Sequence, residues 1–155
     1  KGGEINETEL SYLQNIFSFE DRVLKDIMIP KSEMVYLTKQ MTVDDIITVL
    51  DQQEYTRYPV MEAAGSDHII GFINTKEMLT NIAAGRNQAV THFIHEIPSF
   101  PETASIKSVL LEMQKNRMHM IIVTNETGQI TGLVTMEDIL ENIVGEIREE
   151  SSSSD

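Results

Sequence analysis

The residues best suited to ligand chemistry lie near the end of the chain, where a strand is expected to run directly into a helix. The sequence there reads Gly132-Leu133-Val134-Thr135-Met136-Glu137-Asp138-Ile139-Leu140. Thr135 stands at an N-cap position, and Asp138 lies in the first helical turn, where a carboxylate suits the helix dipole. A helix start with a hydroxyl and a carboxylate three residues later can hold a ribose hydroxyl and a phosphate. The simpler interpretation, that the two side chains only cap the helix, stays open.

The same layout occurs a second time, sixty-one positions earlier. Residues 70–79 again place a glycine in an apolar strand that leads into a polar helix start. Asn74 and Glu77 stand there where the later copy has Thr135 and Asp138. The chain therefore contains two units of about sixty residues, each with the order strand, helix, strand, strand, helix.

The repeat also sets the expected domain boundaries. Upstream of the glycine, segment 57–61 is aligned with segment 119–123. The fold class is α/β, equally described as α+β, with two pseudo-symmetric three-stranded β-α-β-β-α units packed sheet to sheet. The expected parts are an acidic connector helix over 1–22, a first domain over 23–85, a second over 86–150, and a disordered serine-rich tail over 151–155.

Exposed apolar faces on the terminal helices favour a homodimer, while packing of the first helix on its own domain stays open.

Composition excludes several classes of function. The 155 residues carry a net charge of −13, which argues against binding nucleic acid through its phosphates. No apolar run reaches membrane-spanning length, and no signal peptide is visible. The absence of cysteine removes disulfide and thiolate chemistry and fits a reducing compartment.

Catalytic motifs are absent. The sequence has no G-x-S-x-G, Walker or G-x-G-x-x-G pattern, and His68, His92, His95 and His119 lack the spacing of metal ligands. His92 and His95 could share a helix face, but surface histidines are the expected interpretation. We expect a protein that is not an enzyme; the weaker alternative is an acid–base pair formed by His119 and Asp138.

Four segments carry a resemblance to a known family. They are residues 26–31 (Asp-Ile-Met-Ile-Pro-Lys), 55–60 (Tyr-Thr-Arg-Tyr-Pro-Val), 117–123 (Arg-Met-His-Met-Ile-Ile-Val) and 132–147. As a set they resemble paired cystathionine-β-synthase (CBS) domains, the Bateman module. More narrowly, they resemble the cytosolic part of the CorC/CNNM magnesium and cobalt transporters, the hemolysin-like proteins. The resemblance covers about residues 5–150 and implies a regulatory fragment at the cytoplasmic face of the membrane, joined to a membrane domain of the same protein but not itself inserted.

The resemblance also implies an adenine-nucleotide site in the cleft between the two units. Asp138 would accept hydrogen bonds from the ribose hydroxyls, and Thr135 would bond the ribose or a phosphate. The implied binding residues are Pro30, Val35, Tyr55, Thr56, Arg57, Tyr58, Pro59, His119, Met120, Thr135, Glu137 and Asp138.

The other implied contacts concern the base and the phosphates. Adenine would lie in an apolar slot near Pro30, Val35, Tyr55 and Pro59. Arg57 and His119 would face the phosphates, with Arg57 as a fixed charge. Simpler interpretations stay open for each: Arg57 as a surface cation, His119 as a partner of a backbone carbonyl, and Tyr55 as an ordinary core residue.

The function implied is a sensor that binds AMP or ATP and controls a magnesium or cobalt transporter. ATP would need Mg²⁺ as counter-ion, because the acidic chain lacks a large basic cluster. Asn74 and Glu77 depart from the pattern of Thr135 and Asp138, so we expect one functional site per chain. The alternative function is a purely structural dimerisation module whose cleft is empty.

Overall fold

The computed structural model describes residues 22–52, 55–86 and 88–153, with side chains up to residue 144. The described residues form four α-helices, and these are α1 (Val43–Gln52), α2 (Thr75–Ala83), α3 (Ile106–Lys115) and α4 (Met136–Ser153). They also form eight short strands: β1 (Ile29–Pro30), β2 (Leu37–Thr38), β3 (Arg57–Met61), β4 (Ile69–Asn74), β5 (Ile94–His95), β6 (Ser99–Pro101), β7 (Met120–Thr124) and β8 (Ile130–Thr135). The expected connector helix over 1–22 lies outside the described residues, Arg22 excepted, as do residues 154 and 155.

The strands form two four-stranded sheets of matching design, with the orders β1-β8-β7-β6 and β2-β3-β4-β5. In each sheet an antiparallel pair, β7–β8 or β3–β4, lies at the centre. A parallel strand flanks it on one side, β6 on β7 and β2 on β3. A short antiparallel strand flanks it on the other, β1 on β8 and β5 on β4. The mixed α+β fold class and the internal repeat are therefore confirmed.

The chain divides into two compact units whose boundaries do not follow the sequence repeat. We call residues 22–31 with 99–153 the discontinuous unit and residues 32–98 the continuous unit. The 3-10 turn Leu24–Asp26 belongs to the former, where the Leu24 amide donates to the Ala104 carbonyl over 3.0 Å. The 3-10 turn Val90–Phe93 belongs to the latter. Each of these two short segments thus packs with a unit formed mainly by the other repeat.

Each unit has its own apolar core, because the helices place their apolar faces on the sheet. The core of the discontinuous unit consists of Leu24, Ile106, Val109, Leu110, Met113, Ile121, Val123, Val134, Ile139 and Ile143. The core of the continuous unit consists of Leu37, Ile46, Tyr58, Val60, Ile73, Met78, Val90 and Phe93.

Side-chain caps fix where the helices begin. The Asp45 amide donates to the Thr42 hydroxyl over 3.2 Å, and the Thr42 amide donates back to the Asp45 carboxylate over 3.0 Å. Asn74 caps α2 and Ser105 caps α3 by accepting from the amide three residues on. These bonds satisfy amides that have no partner within the helix, so local chemistry explains where α1, α2 and α3 begin.

The expectation of three strands per sheet was wrong, because β1 and β5 each add a fourth. A glycine at the same place in each repeat makes room for the added strand. A methyl group on Gly71 would overlap the His95 carbonyl, and one on Gly132 would lie 2.6 Å from the Ile29 carbonyl oxygen. The edge strands can approach because these positions lack a side chain.

The expected alignment of segment 57–61 with 119–123 was wrong by one residue. Arg57 pairs with Asn74 across its sheet, whereas the residue paired with Thr135 is Met120. Arg57 is therefore the counterpart of Met120, and His119 is the counterpart of Thr56. A shift of one residue matters, because neighbouring side chains on a strand point to opposite faces.

Other element boundaries differ modestly from expectation. Segment 23–28 contains the 3-10 turn Leu24–Asp26, and β2 is limited to Leu37–Thr38. Helix α4 extends to Ser153, so residues 151–153, expected to be disordered, are helical. No helix among the described residues is long and apolar enough to cross a membrane.

Candidate functional site

Thr135 and Asp138 form a reciprocal pair at the junction of β8 and α4. The Asp138 amide donates to the Thr135 hydroxyl oxygen over 3.1 Å, and the Thr135 amide donates to the Asp138 carboxylate over 3.3 Å. Both residues are half-buried. The interpretation as a helix cap is thus correct as far as it goes, and the two bonds hold both side chains in fixed positions.

The pair keeps unused bonding capacity. A hydroxyl that accepts one hydrogen bond still has a hydrogen to donate, and a carboxylate that accepts one still has lone pairs on both oxygens. The Asp138 carbonyl accepts from the Asn142 side chain over 2.8 Å, which adds support to the first turn of α4. The helix start can therefore serve a ligand without losing its cap.

The equivalent helix start of the first repeat is built differently. Asn74 accepts from the Glu77 amide over 3.1 Å, and the Glu77 carbonyl accepts from the Asn81 side chain over 2.8 Å. The Glu77 carboxylate does not complete the reciprocal cap; it contacts Nε2 of His95 through both oxygens, at 2.9 and 3.1 Å. Asn74 and Glu77, the side chains expected to weaken the second site, thus contact groups of their own unit.

Three other predicted binding residues of the discontinuous unit, His119, Met120 and Glu137, adjoin the Thr135 helix start along the chain or across the sheet, whereas Pro30 pairs with Gly132 of β8. The His119 carbonyl accepts from the Met136 amide over 2.9 Å, and Met120 pairs with Thr135. The His119 side chain is exposed, whereas Met120 is 3% exposed and belongs to the interior. Pro30 is exposed in β1, and Glu137 is exposed in the first turn of α4.

The predicted binding residues of the continuous unit lie at the start of β3 and before it. Tyr55 is 54% exposed, so the alternative that it is an ordinary core residue is wrong. Its amide donates to the Tyr58 hydroxyl over 3.0 Å, and the two rings meet edge to face with centroids 5.6 Å apart. Tyr58 itself is fully buried, so its ring is part of the core.

The remaining predicted residues of this unit are Val35, Thr56, Arg57 and Pro59. Arg57 is half-buried at the first position of β3, and Pro59 is buried further along the strand. Val35 packs against the core of the unit. Thr56 is exposed, and its carbonyl accepts from both the amide and the hydroxyl of Thr75, over 2.8 and 3.1 Å.

The described part of the chain contains no candidate metal cluster. No group of three or more histidine, aspartate and glutamate side chains is placed to hold a metal ion there. His92 lies in the 3-10 turn Val90–Phe93 and His95 in β5, so they do not share a helix face.

Sequence reasoning missed two polar residues that shape the first repeat. Thr75 is 6% exposed, and its hydroxyl lies within hydrogen-bond distance of the carbonyls of Tyr55 and Thr56. His95 is exposed, as expected of a surface histidine, and its side chain also contacts Glu77, eighteen residues away. The one sequence signal for the second contact is Gly71, which permits β5 to lie against β4.

Comparisons with known proteins agree with this geometry. The CBS domain family model matches twice, over residues 24–84 and 90–145. The chain is 44% identical to UPF0053 protein YhdP of Bacillus subtilis (strain 168), over 97% of this chain and 34% of that protein. It is 34% identical to the magnesium and cobalt efflux protein CorC of Escherichia coli (strain K12), over 97% of this chain and 52% of that protein. The chain thus spans about a third to a half of these relatives.

Solved structures show the same fold. The CBS domain of a bacterial CNNM/CorC family Mg²⁺ transporter in complex with ATP superposes with a TM-score of 0.78 at 32% identity, covering 89% of this chain and 98% of that one. A CBS-domain pair with bound AMP from Klebsiella pneumoniae gives a TM-score of 0.67 at 27% identity, covering 79% and 98%. Two family matches and these superpositions lead to one assignment: the chain belongs to the CBS domain family, as a tandem CBS pair of the CNNM/CorC type.

Proposed function

We propose that this chain is a regulatory CBS pair that binds an adenine nucleotide, AMP or Mg-ATP, and controls a magnesium or cobalt transporter of which it forms the cytoplasmic part. The observation that carries the proposal is the fixed Thr135–Asp138 pair at the start of α4. The relative named as a magnesium and cobalt efflux protein and the structures with ATP and AMP support the choice of ligand and of transporter.

The chemistry of the pair suits a ribose. Two neighbouring hydroxyls present two donors, and an ionised carboxylate is an acceptor only, with room for both. Thr135 can donate its remaining hydrogen to a ribose or phosphate oxygen. A phosphate near α4 would also be favoured by the positive end of the helix dipole, although the dipole alone does not define a site.

The other predicted contacts within the same unit are assigned by chemistry and position. We assign His119 to the phosphates because its side chain is exposed and its backbone carbonyl accepts from the Met136 amide at the helix start. Pro30 is assigned to the base as an exposed apolar surface. The assignments of the residues in the continuous unit stay as predicted from the family resemblance.

Control of a transporter requires that the nucleotide bind one geometry of the CBS pair better than another. We propose that the pair acts as a homodimer, in which such a preference changes how two copies meet. Exposed apolar residues on the helices support this part of the proposal, among them Leu79 of α2 and Leu140 of α4, 41% and 45% exposed. Analytical ultracentrifugation with and without nucleotide measures the association state.

Isothermal titration with AMP, ADP and ATP, each with and without Mg²⁺, tests nucleotide binding. The decisive variant is Asp138→Asn, because an asparagine oxygen can still accept from the Thr135 amide and keep the cap. Its NH₂ group replaces an acceptor that faces the ribose, and loss of a hydrogen bond to a charged group costs about 1.5–3 kcal/mol. We therefore expect affinity to fall by about tenfold or more.

Glu141→Gln is the matched control, since it removes an equal charge from an exposed position one turn further along α4. It should leave affinity unchanged. If Asp138→Asn binds as tightly as Glu141→Gln, the ribose assignment is wrong. If the parent chain binds none of the nucleotides, the alternative of a ligand-free dimerisation module gains support.

A further inference from the structure

The Glu77 carboxylate, in the first turn of α2, is in contact with a histidine of its own unit. Nε2 of His95 lies 2.9 and 3.1 Å from the two carboxylate oxygens of Glu77. A carboxylate that carries no proton can only accept, and Nε2 of His95 is then the donor of this contact. The carboxylate of the first repeat is thus already in contact with a group of its own unit.

The His95 ring is held from a second side. Its centroid lies 5.4 Å from that of Phe72, with the rings inclined at 36°. His95 also pairs with Phe72 in the β4–β5 ladder, so strand register and ring contact fix the same residue. The side chains of His95 and Glu77 are 47% and 40% exposed, so the contact lies at the surface of the unit.

In the sheet of the discontinuous unit, the position equivalent to His95 carries no hydrogen-bond donor in its side chain. Leu133 follows Gly132 as Phe72 follows Gly71, and the residue paired with Leu133 is Ile29 of β1. Ile29 therefore occupies in one sheet the place that His95 occupies in the other. Its side chain has no polar atom, so it cannot bind the carboxylate of Asp138 as His95 binds that of Glu77.

The lengths of the two acidic side chains agree with this difference. The short side chain of Asp138 turns back to the amide of its own N-cap, over 3.3 Å. Glu77 is one methylene longer and reaches across β4 to β5. Asn74 caps α2 through a single bond and so leaves the glutamate carboxylate available to His95.

We propose that His95 closes the start of α2 to nucleotide by occupying the carboxylate of Glu77, and that this contact limits the chain to one nucleotide, held at α4. The inference rests on the proposed nucleotide function, but it names a separate determinant. In this proposal His95 determines how many nucleotides one chain can bind.

The test compares two variants in a background that supplies the missing hydroxyl. Asn74→Thr gives α2 the N-cap residue type of α4 but leaves the Glu77–His95 contact in place. Asn74→Thr with His95→Ala also frees the carboxylate. Isothermal titration with AMP and with Mg-ATP should give one site per chain for the parent and for Asn74→Thr, and two for the double variant. Asn74→Thr with His68→Ala, which removes another exposed histidine, is the matched control and should keep one site.

Each outcome decides between the two proposals. One site in both the parent and the double variant, or two sites in the parent, overturns the closure by His95 and leaves the proposed function standing. No binding by the parent with one site in the double variant overturns the site at α4 and supports the closure. No binding by either overturns both. His95→Leu replaces His95→Ala if the alanine variant does not fold, because leucine keeps an apolar contact with Phe72 and removes the donor.

Discussion

The backbone carbonyl oxygen of Ile29 lies 2.6 Å from the point that a methyl group on Gly132 would occupy. Gly71 has the same relation to the carbonyl of His95 in the other sheet. Two glycines that sequence comparison marks as equivalent thus serve one purpose. Each lets a two-residue strand close the edge of a central hairpin.

Gly132→Ala should therefore destabilise the chain, because the obstruction is backbone and cannot rotate away. We expect a loss of about 1–3 kcal/mol in the free energy of unfolding, the usual range for overpacking. Urea unfolding followed by circular dichroism measures it. Gln114→Ala, at an exposed position of α3, is the control. Equal stability of the two variants would show that β1 is not held where the structure places it.

Two adjacent leucines of α3 provide a matched test of the core. Leu110 is 2% exposed and belongs to the core of the discontinuous unit, whereas Leu111 is 55% exposed. Leu110→Ala should cost about 2–5 kcal/mol. Leu111→Ala should change stability by less than about 0.5 kcal/mol. Denaturant titration of both variants checks the orientation of α3, and a reversed order of the two effects would contradict it.

The cap at Thr135 predicts a joint effect on stability and binding. Thr135→Val keeps the shape of the side chain but loses the oxygen that accepts from the Asp138 amide. Stability should fall by about 1 kcal/mol, and nucleotide affinity should fall with it. Thr135→Ser keeps the hydroxyl and should retain both the stability and the nucleotide affinity of the parent. Thermal unfolding and isothermal titration measure the two effects, and a valine variant that matches serine in both would exclude Thr135 from either role.

Asp45 predicts a pH dependence at the start of α1. Hydrogen bonds from the backbone and the side chain of Thr42 lower the pKa of the Asp45 carboxyl below its usual value of 3.8. Because the charged form is favoured in the folded state, its contribution is present above the usual pKa and is lost as pH falls through the lowered one. The stability difference between parent and Asp45→Asn should thus be larger at pH 7 than at about pH 3. Asp51→Asn, at the other end of α1, is the control, and it should not lower the free energy of unfolding at pH 7.

Removal of Mg²⁺ should separate the two candidate nucleotides. The chain carries a net charge of −13, so a triphosphate without its counter-ion meets an unfavourable field, whereas a monophosphate is less affected. Titration in EDTA should weaken binding of ATP and leave binding of AMP nearly unchanged. ATP that binds equally well in EDTA would mean that local cations of the chain neutralise its phosphates.

The features that could be predicted from sequence are those set by local chemistry. The start of α4 and the reciprocal bonding of its first turn follow from a threonine and an aspartate three residues apart. The repeat was visible because both copies keep a glycine within an apolar strand before a polar helix start. These signals extend over a few residues, so no knowledge of distant contacts is needed to detect them.

The features that were missed depend on distant pairing. β1 and β5 are two residues long and show no alternation of their own, so only their partners in β8 and β4 define them. The one-residue error at Arg57 arose because both candidate alignments place apolar residues in the strand interior. The contact between Glu77 and His95 requires β5 to be in place first.

The path of the chain through β1 has a mechanical consequence. The Arg22 carbonyl accepts from the Ile106 amide over 3.1 Å, Val23 bridges to Ser105, and β1 then joins β8. A pull on the backbone at residue 22 is therefore delivered to the repeat that lies farther along the sequence, and it reaches that repeat through the sheet whose central strand ends at Thr135. Tension on the backbone at residue 22 would therefore reach the discontinuous unit, which carries the proposed ligand site, before it reaches the continuous unit.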